Sequence, residues 1–436
     1  MLPVFRPLKD RAVLTVWSGL CTSTVGEDLF RVASVWLAVE VAGNMAGLVT
    51  GVQYVAMLVA GLFGGVLFDR WRPDKAMIGT RTLSALFCLL PVAGYYVPGV
   101  GISITLLIIA SVGLASLRMV FSPALQSTIP TLVPDRDAQQ AINGLFDATY
   151  RIARLVGPMV AALLHLFLPV IHFLSATALG FIVSGASLRA ARQRLIEGHV
   201  SDPVRLRPGW AGTWEALTAG FRLMISEPAM GTILIVNAIL NGPWMVALSL
   251  AIALIVTEYR PTFLGFGDLA AYALVMGAYG VGDVSGNIAA GSIRFRRPLS
   301  TMFLGYVVMG SGFSWLALSV WLLPSDRLLP AMMLGGLMAG CGGPFFFVPM
   351  ITRMQSVFHG HDIARVFRLR LVVMAAAMLV ASLVATWCFE LMGAVATQLG
   401  CGLLILAVGV GGHVICRRHE GRQRAGAADP LPAAGE

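Results

Sequence analysis

Three ionisable residues, Glu27, Asp28 and Arg31, sit inside a long apolar run near the start of the chain. In a helix, Glu27 and Arg31 are spaced i,i+4 and Asp28 and Arg31 i,i+3, so both pairs share a face. If that helix crosses a bilayer, a charge facing lipid costs about 3 kcal/mol or more, so this face must meet a cavity or partner charges. One arginine does not fully compensate two carboxylates. The group is therefore either a structural ion-pair cluster or a place where one acid, Glu27 or Asp28, takes up and releases a proton. The pattern returns where Asp147 precedes Arg151 by four residues and Arg154 follows without an acid one turn away in its own helix. Arg154 either pairs with helix 1 or presents a positive charge to an anionic substrate. Arg118 is the remaining cation in an apolar run, and since arginine does not deprotonate, it either pairs with an acid or tunes one. These seven charges lie in the first half of the sequence. The second half offers chiefly Asp283, Asn237, Asn241 and Asn287, which places proton handling in the first half and shape and apolar contact in the second.

The elements that must carry these residues follow from composition. Hydrophobic residues make up 57% of the 436 and charged residues 12%, with a mean hydropathy of +0.80; an ordinary soluble domain has about 25% charged residues. A hydrocarbon layer roughly 30 Å thick takes about 20 apolar residues per helix, which leaves room for about twelve crossings. The apolar runs predict helices over 12–42, 46–68, 77–97, 101–124, 140–164 and 168–190, then 229–257, 268–292, 299–322, 329–350, 369–392 and 396–416. The expected fold is an all-α membrane protein of twelve transmembrane helices in two six-helix halves, 1–190 and 229–416. A cytoplasmic loop, 191–228, joins them and carries an amphipathic segment near Trp214–Ile225; the tail 417–436 reads as disordered. Weak echoes between the halves, such as Phe5-Arg6-Pro7-Leu8 and Phe221-Arg222-Leu223-Met224, fit two parallel repeats around a central site.

The net charge of +9 does not indicate nucleic acid, because the basic residues stand in short clusters between apolar runs. Counted over alternate loops, 25 Lys and Arg fall on one side and only Arg260 and Arg327 on the other. This asymmetry places both termini and the central loop in the cytoplasm. The first apolar run is long and continues into a second, so it reads as a retained helix and not a cleaved leader. Six single cysteines without a CxxC pair indicate neither a disulfide framework nor a zinc site. No G-x-x-x-x-G-K-[ST], H-E-x-x-H or G-x-S-x-G run occurs, which argues against ATP driving and the common hydrolase sites. No enzyme activity, cofactor or metal is expected. The expected partners are the lipid bilayer, protons and a small-molecule substrate.

Four segments carry a family resemblance. The 2–3 loop reads Gly64-Gly65-Val66-Leu67-Phe68-Asp69-Arg70, with Arg72-Pro73 following; Gly65, Asp69 and Arg70 resemble the G-x-x-x-D-R gating signature of the major facilitator superfamily. Helix 5 carries Gly157-Pro158, similar to the motif of its antiporter branches, although Ala161-Ala162 stands where a second glycine is usual. Gly26-Glu27-Asp28-Leu29-Phe30-Arg31 and Phe121-Ser122-Pro123-Ala124 resemble the third drug:proton antiporter branch, which includes macrolide efflux proteins and the enterobactin exporter. The resemblance covers roughly residues 5–415. It implies a monomeric proton antiporter of the bacterial inner membrane, exporting a siderophore or a drug-like compound by alternating access. It also implies Asp28 as the preferred proton carrier and Arg118 as the basic residue of helix 4 used in proton transfer. A nutrient importer and a non-transporting membrane sensor or scaffold are the alternative readings.

Overall fold

The computed structural model describes residues 7–68, 72–132, 136–197, 218, 220–292, 298–358 and 361–428. These residues are almost wholly helical, and among them a lone bridge between Phe263 and Phe266 is the only β pairing. In chain order the first six long helices are α1 (Arg11–Ala42), α2 (Ala46–Phe68), α3 (Pro73–Tyr95), α4 (Ile104–Leu132), α5 (Arg136–His165) and α6 (Ile171–Ala190). Then come α7 (Pro228–Tyr259), which contains a π-helical stretch Val246–Ala251, α8 (Asp268–Ser292), α9 (Pro298–Leu322) and α10 (Ser325–Val357). The last helical segment, His361–Ala428, breaks at Gly393, where φ is 80° and ψ is 171°. A residue without Cβ takes that conformation at little cost, and the break separates α11 (361–392) from α12 (394–428).

Eight stretches are long and apolar enough to cross a membrane, and two of them, Arg11–Ala60 and Leu369–Arg418, each run over two helices. Helices α5 and α8 are not among the eight. They are the helices that carry Arg151, Arg154, Asp283 and Asn287. Large exposed side chains such as Leu86, Leu163, Ile182, Ile288 and Trp387 would be unfavourable in water and are at home against acyl chains.

Within the first half, α1 packs on α5 and α6, α3 on α4 and α6, and α2 on α4. Within the second, α9 packs on α10 and α12, α8 on α10, and α7 on α11. The halves meet mainly through two helix pairs, α5 with α8 and α2 with α11. The aromatic contact of Trp36 on α1 with Tyr272 on α8, centroids 6.1 Å apart, adds to this seam. It lies towards the end where α1 finishes and α8 begins, as do the contacts of Gly47 and Gly51 on α2 with Ser382 on α11.

Several helices run past the apolar runs that announce them. Helix α3 starts at Pro73, α4 continues to Leu132, α5 starts at Arg136, α10 continues to Val357 and α11 starts at His361. The extra turns are polar enough to end a hydropathy signal yet still complete backbone hydrogen bonds, so the helix outlasts the apolar stretch. This corrects the loop count: Arg81 and Arg370 were counted with the loops but lie inside helices, 3% and 5% exposed. The tail is also corrected in part, because α12 continues through residue 428 and Glu420 accepts a hydrogen bond from the Leu299 amide at 3.0 Å. In the central loop a short helix, Arg192–Glu197, packs on α3, α4 and α6; Trp214 lies outside the described residues.

Candidate functional site

Helix α1 is pressed against its neighbours at the level of its charges. A Cβ placed on Gly157 would lie 2.6 Å from the Asp28 Cβ, so only glycine lets α5 approach α1 there. On the opposite side, Thr177 of α6 donates to the Gly26 carbonyl at 2.9 Å. The Gly157-Pro158 motif therefore fixes a close approach right at the acid pair.

The two acids separate. Asp28 pairs with Arg31 along its own helix, at 2.5 Å. Glu27 does not share that arginine. Its Oε1 accepts from Arg81 Nη1 of α3 at 2.7 Å, and its Oε2 lies 3.9 Å from Arg118 Nε of α4. Arg81 is 3% exposed, and its guanidinium lies 3.5 Å from the ring centre of Phe121 and 5.2 Å from that of Phe181. Two aromatic faces thus hold a buried cation on one carboxylate. Arg118, by contrast, is 62% exposed at its side chain. Glu27 therefore stands between a fixed arginine and an accessible one.

Contacts across the halves engage both arginines of helix 5, and Arg154 meets helix α8 where helix 1 was the expected partner. Arg151 donates to Asn287 Oδ1 of α8 at 2.8 Å, and Arg154 lies 3.7 Å from Asp283 Oδ2. Asn287 in turn donates to the Asp283 carbonyl at 2.7 Å. Asp147 is in α5, but its side chain lies outside the described ones, as do the side chain surroundings of Gly65 on α2. Asp69 and Arg70 lie outside the described residues altogether.

The second half has its own buried charge. Asn237 of α7 accepts from Arg370 of α11 at 2.6 and 3.0 Å and donates to the Tyr306 hydroxyl of α9 at 2.9 Å. Phe346 stacks on Tyr306, centroids 4.1 Å apart, and Arg370 lies 5.4 Å from the Phe347 ring. Asn241 donates back to the Asn237 carbonyl at 2.6 Å. Asn237 is thus engaged inside the helix bundle, and the second half is not confined to apolar contact. Sequence reading missed Arg81 and Arg370 because both sit within a few turns of a loop. For Arg81 a signal existed: Pro73-Asp74 is a helix start, with Pro at the first position and an acid in the first turn. Arg81 is therefore two turns inside a helix, not beside one.

The arrangement of long membrane helices in two groups around buried ion pairs agrees with comparison to known proteins. The model of the Major Facilitator Superfamily matches residues 16–267. The chain belongs to that superfamily. As a superfamily member it is a multi-pass membrane transporter and not an enzyme. A curated relative, "Multidrug efflux pump Tap" of Mycolicibacterium fortuitum, is 23% identical over 366 residues, 81% of this chain and 84% of that one. Among solved structures, a peptide transporter POT in complex with sulfate matches with a TM-score of 0.72 at 14% identity, covering 94% of each chain. A bacterial homologue of the iron transporter ferroportin in an inward-facing state matches with a TM-score of 0.65 at 14% identity, covering 92% of this chain and 98% of that one. At such identities the structures report the superfamily fold.

Proposed function

We propose that this superfamily member is a proton-driven exporter of small drug-like molecules across the bacterial inner membrane, with both termini in the cytoplasm. The observation that carries the reading is Glu27, poised between buried Arg81 and exposed Arg118. An arginine that accessible at mid-helix is affordable only beside water, since a lipid-facing one costs about 3 kcal/mol or more. A proton reaching Glu27 from that water would neutralise the carboxylate and loosen its hold on Arg118. Cargo binds while that carboxylate is charged and leaves once it is neutral, so proton and cargo exclude each other at one place, as antiport requires. Asp28 with Arg31 is the second acid available for this exchange.

The twelve helices rock as two six-helix halves, 1–190 and 229–416, about the α5–α8 and α2–α11 seams. By the loop charges the end near Trp36 and Tyr272 is the outer one. The likeness to the pump Tap supports export of drug-like cargo. The arginines Arg31, Arg118, Arg151 and Arg154 also favour an anionic cargo such as a siderophore as a second class.

The test is transport by the purified protein in liposomes with an imposed pH gradient. Glu27→Gln should abolish pH-driven movement of a fluorescent drug and weaken drug binding by about threefold or more, since the neutral amide mimics the protonated acid. Transport indifferent to the gradient, or unchanged in both Glu27→Gln and Asp28→Asn, would remove the proton-coupled reading.

A further inference from the structure

A second basic cluster lies away from the two seams between the halves, where α3 begins and α6 ends. Arg72 occupies the N-cap position of α3, Arg189 the last turn of α6, and Arg192 the short helix that follows. They border an open cleft of about 490 Å³ together with Gln193, Ala190 and Ile196. Asp74, 4% exposed, organises two of the three: its Oδ1 accepts from Arg72 Nε at 3.1 Å and its Oδ2 from Arg192 Nε at 3.1 Å. Arg189 reaches Thr82 Oγ1 at 3.4 Å. One carboxylate thus holds two guanidinium groups by one edge and leaves the cluster with two positive charges in excess. Their side chains remain 52% exposed for Arg72 and 46% for Arg192.

We infer that this cleft binds the phosphate of an anionic glycerophospholipid. Guanidinium forks held in place match phosphate oxygens in geometry and charge. Depth selects a lipid as the source. The apolar spans Pro73–Tyr95 and Ile171–Ala190 both end at this cluster, so the arginines stand at headgroup level. Deeper along the same two helices, Leu83 and Leu86 of α3 and Leu179, Ile182 and Val183 of α6 are exposed. They form the apolar surface along which acyl chains lie when a headgroup sits in the cleft. Basic pockets between transmembrane helices take anionic headgroups for this combination of reasons. The inference requires the bilayer but not the cargo or coupling proposed above.

The experiment uses the full chain, purified and stripped of lipid, titrated with phosphatidylglycerol, phosphatidylcholine or inorganic phosphate. Bound lipid is read by native mass spectrometry and the unfolding temperature is measured in parallel. The wild type should retain phosphatidylglycerol in preference to phosphatidylcholine. Arg189→Gln should lose about fivefold in that affinity, and the Arg189→Gln, Arg192→Gln pair about 30-fold. Because loss of Arg192 also frees Asp74, Arg189→Gln and the charge-retaining Arg189→Lys keep the result interpretable: the lysine should hold most of the affinity. Equal retention of the two lipids, or an unaltered preference in the double variant, would overturn the assignment. So would full displacement by inorganic phosphate at millimolar concentration, which would make the cleft a site for a soluble anion.

Discussion

At the scale of single residues, the site is governed by how completely each charge is matched. The Glu27–Arg81 pair is nearly buried and is hydrogen-bonded at 2.7 Å. Removing one partner of such a pair leaves a charge without compensation, at a cost of about 3–5 kcal/mol. Arg81→Met should therefore lower the unfolding temperature of the purified protein sharply, and adding Glu27→Gln should recover much of the loss. If Arg81→Met unfolds like the wild type, the pair does not hold α1 to α3. Arg154 and Asp283 are a different case, because at 3.7 Å and with Arg154 40% exposed the pair contributes about 1 kcal/mol or less. Arg154→Gln should leave stability within that margin while slowing transport, as expected of a contact between halves that parts and re-forms in the proposed cycle. Equal losses of stability and transport would argue for a purely structural contact.

Elements set where these residues can meet. Helix α1 reaches α5 only because position 157 has no side chain, and the space there is occupied by Asp28. Gly157→Val would force the helices apart at the acid pair, an overpacking of about 1–3 kcal/mol. We expect transport to fall at least tenfold while the protein still inserts, measured as drug accumulation in cells at matched expression. Near-wild-type efflux by Gly157→Val would show that the close approach is dispensable. The same scale explains why helix ends matter: α3 and α11 each begin several residues before their apolar runs, and those early turns bring Arg81 and Arg370 into the bundle.

For the whole molecule, the question is whether the two seams open and close. A Cβ on Gly51 would lie 3.5 Å from the Ser382 Cβ, within the range a disulfide requires. Gly51→Cys with Ser382→Cys should cross-link α2 to α11 on oxidation and stop transport, and reduction should restore it. Continued transport by the cross-linked protein would mean that this end of the α2–α11 seam does not move during the cycle.

The all-helical membrane class was legible in the sequence, because twenty-residue apolar runs and clustered loop cations are local properties that a bilayer imposes one helix at a time. The resemblance of the Gly157-Pro158 and Glu27-Asp28 segments to a transporter superfamily was legible for the same reason, as short contiguous patterns. What only the tertiary structure decided is which charge answers which. Spacing along α1 offered Arg31 equally to Glu27 and Asp28, and spacing along α5 offered Asp147 to Arg151. Packing sends Glu27 to Arg81 on α3 instead, and it brings Asn287 of α8 to Arg151 and Asp283 of α8 to Arg154. Sequence periodicity reports which face of a helix a residue shares, but the partner on a neighbouring helix depends on how close the backbones come, and small residues far apart in the chain set that distance.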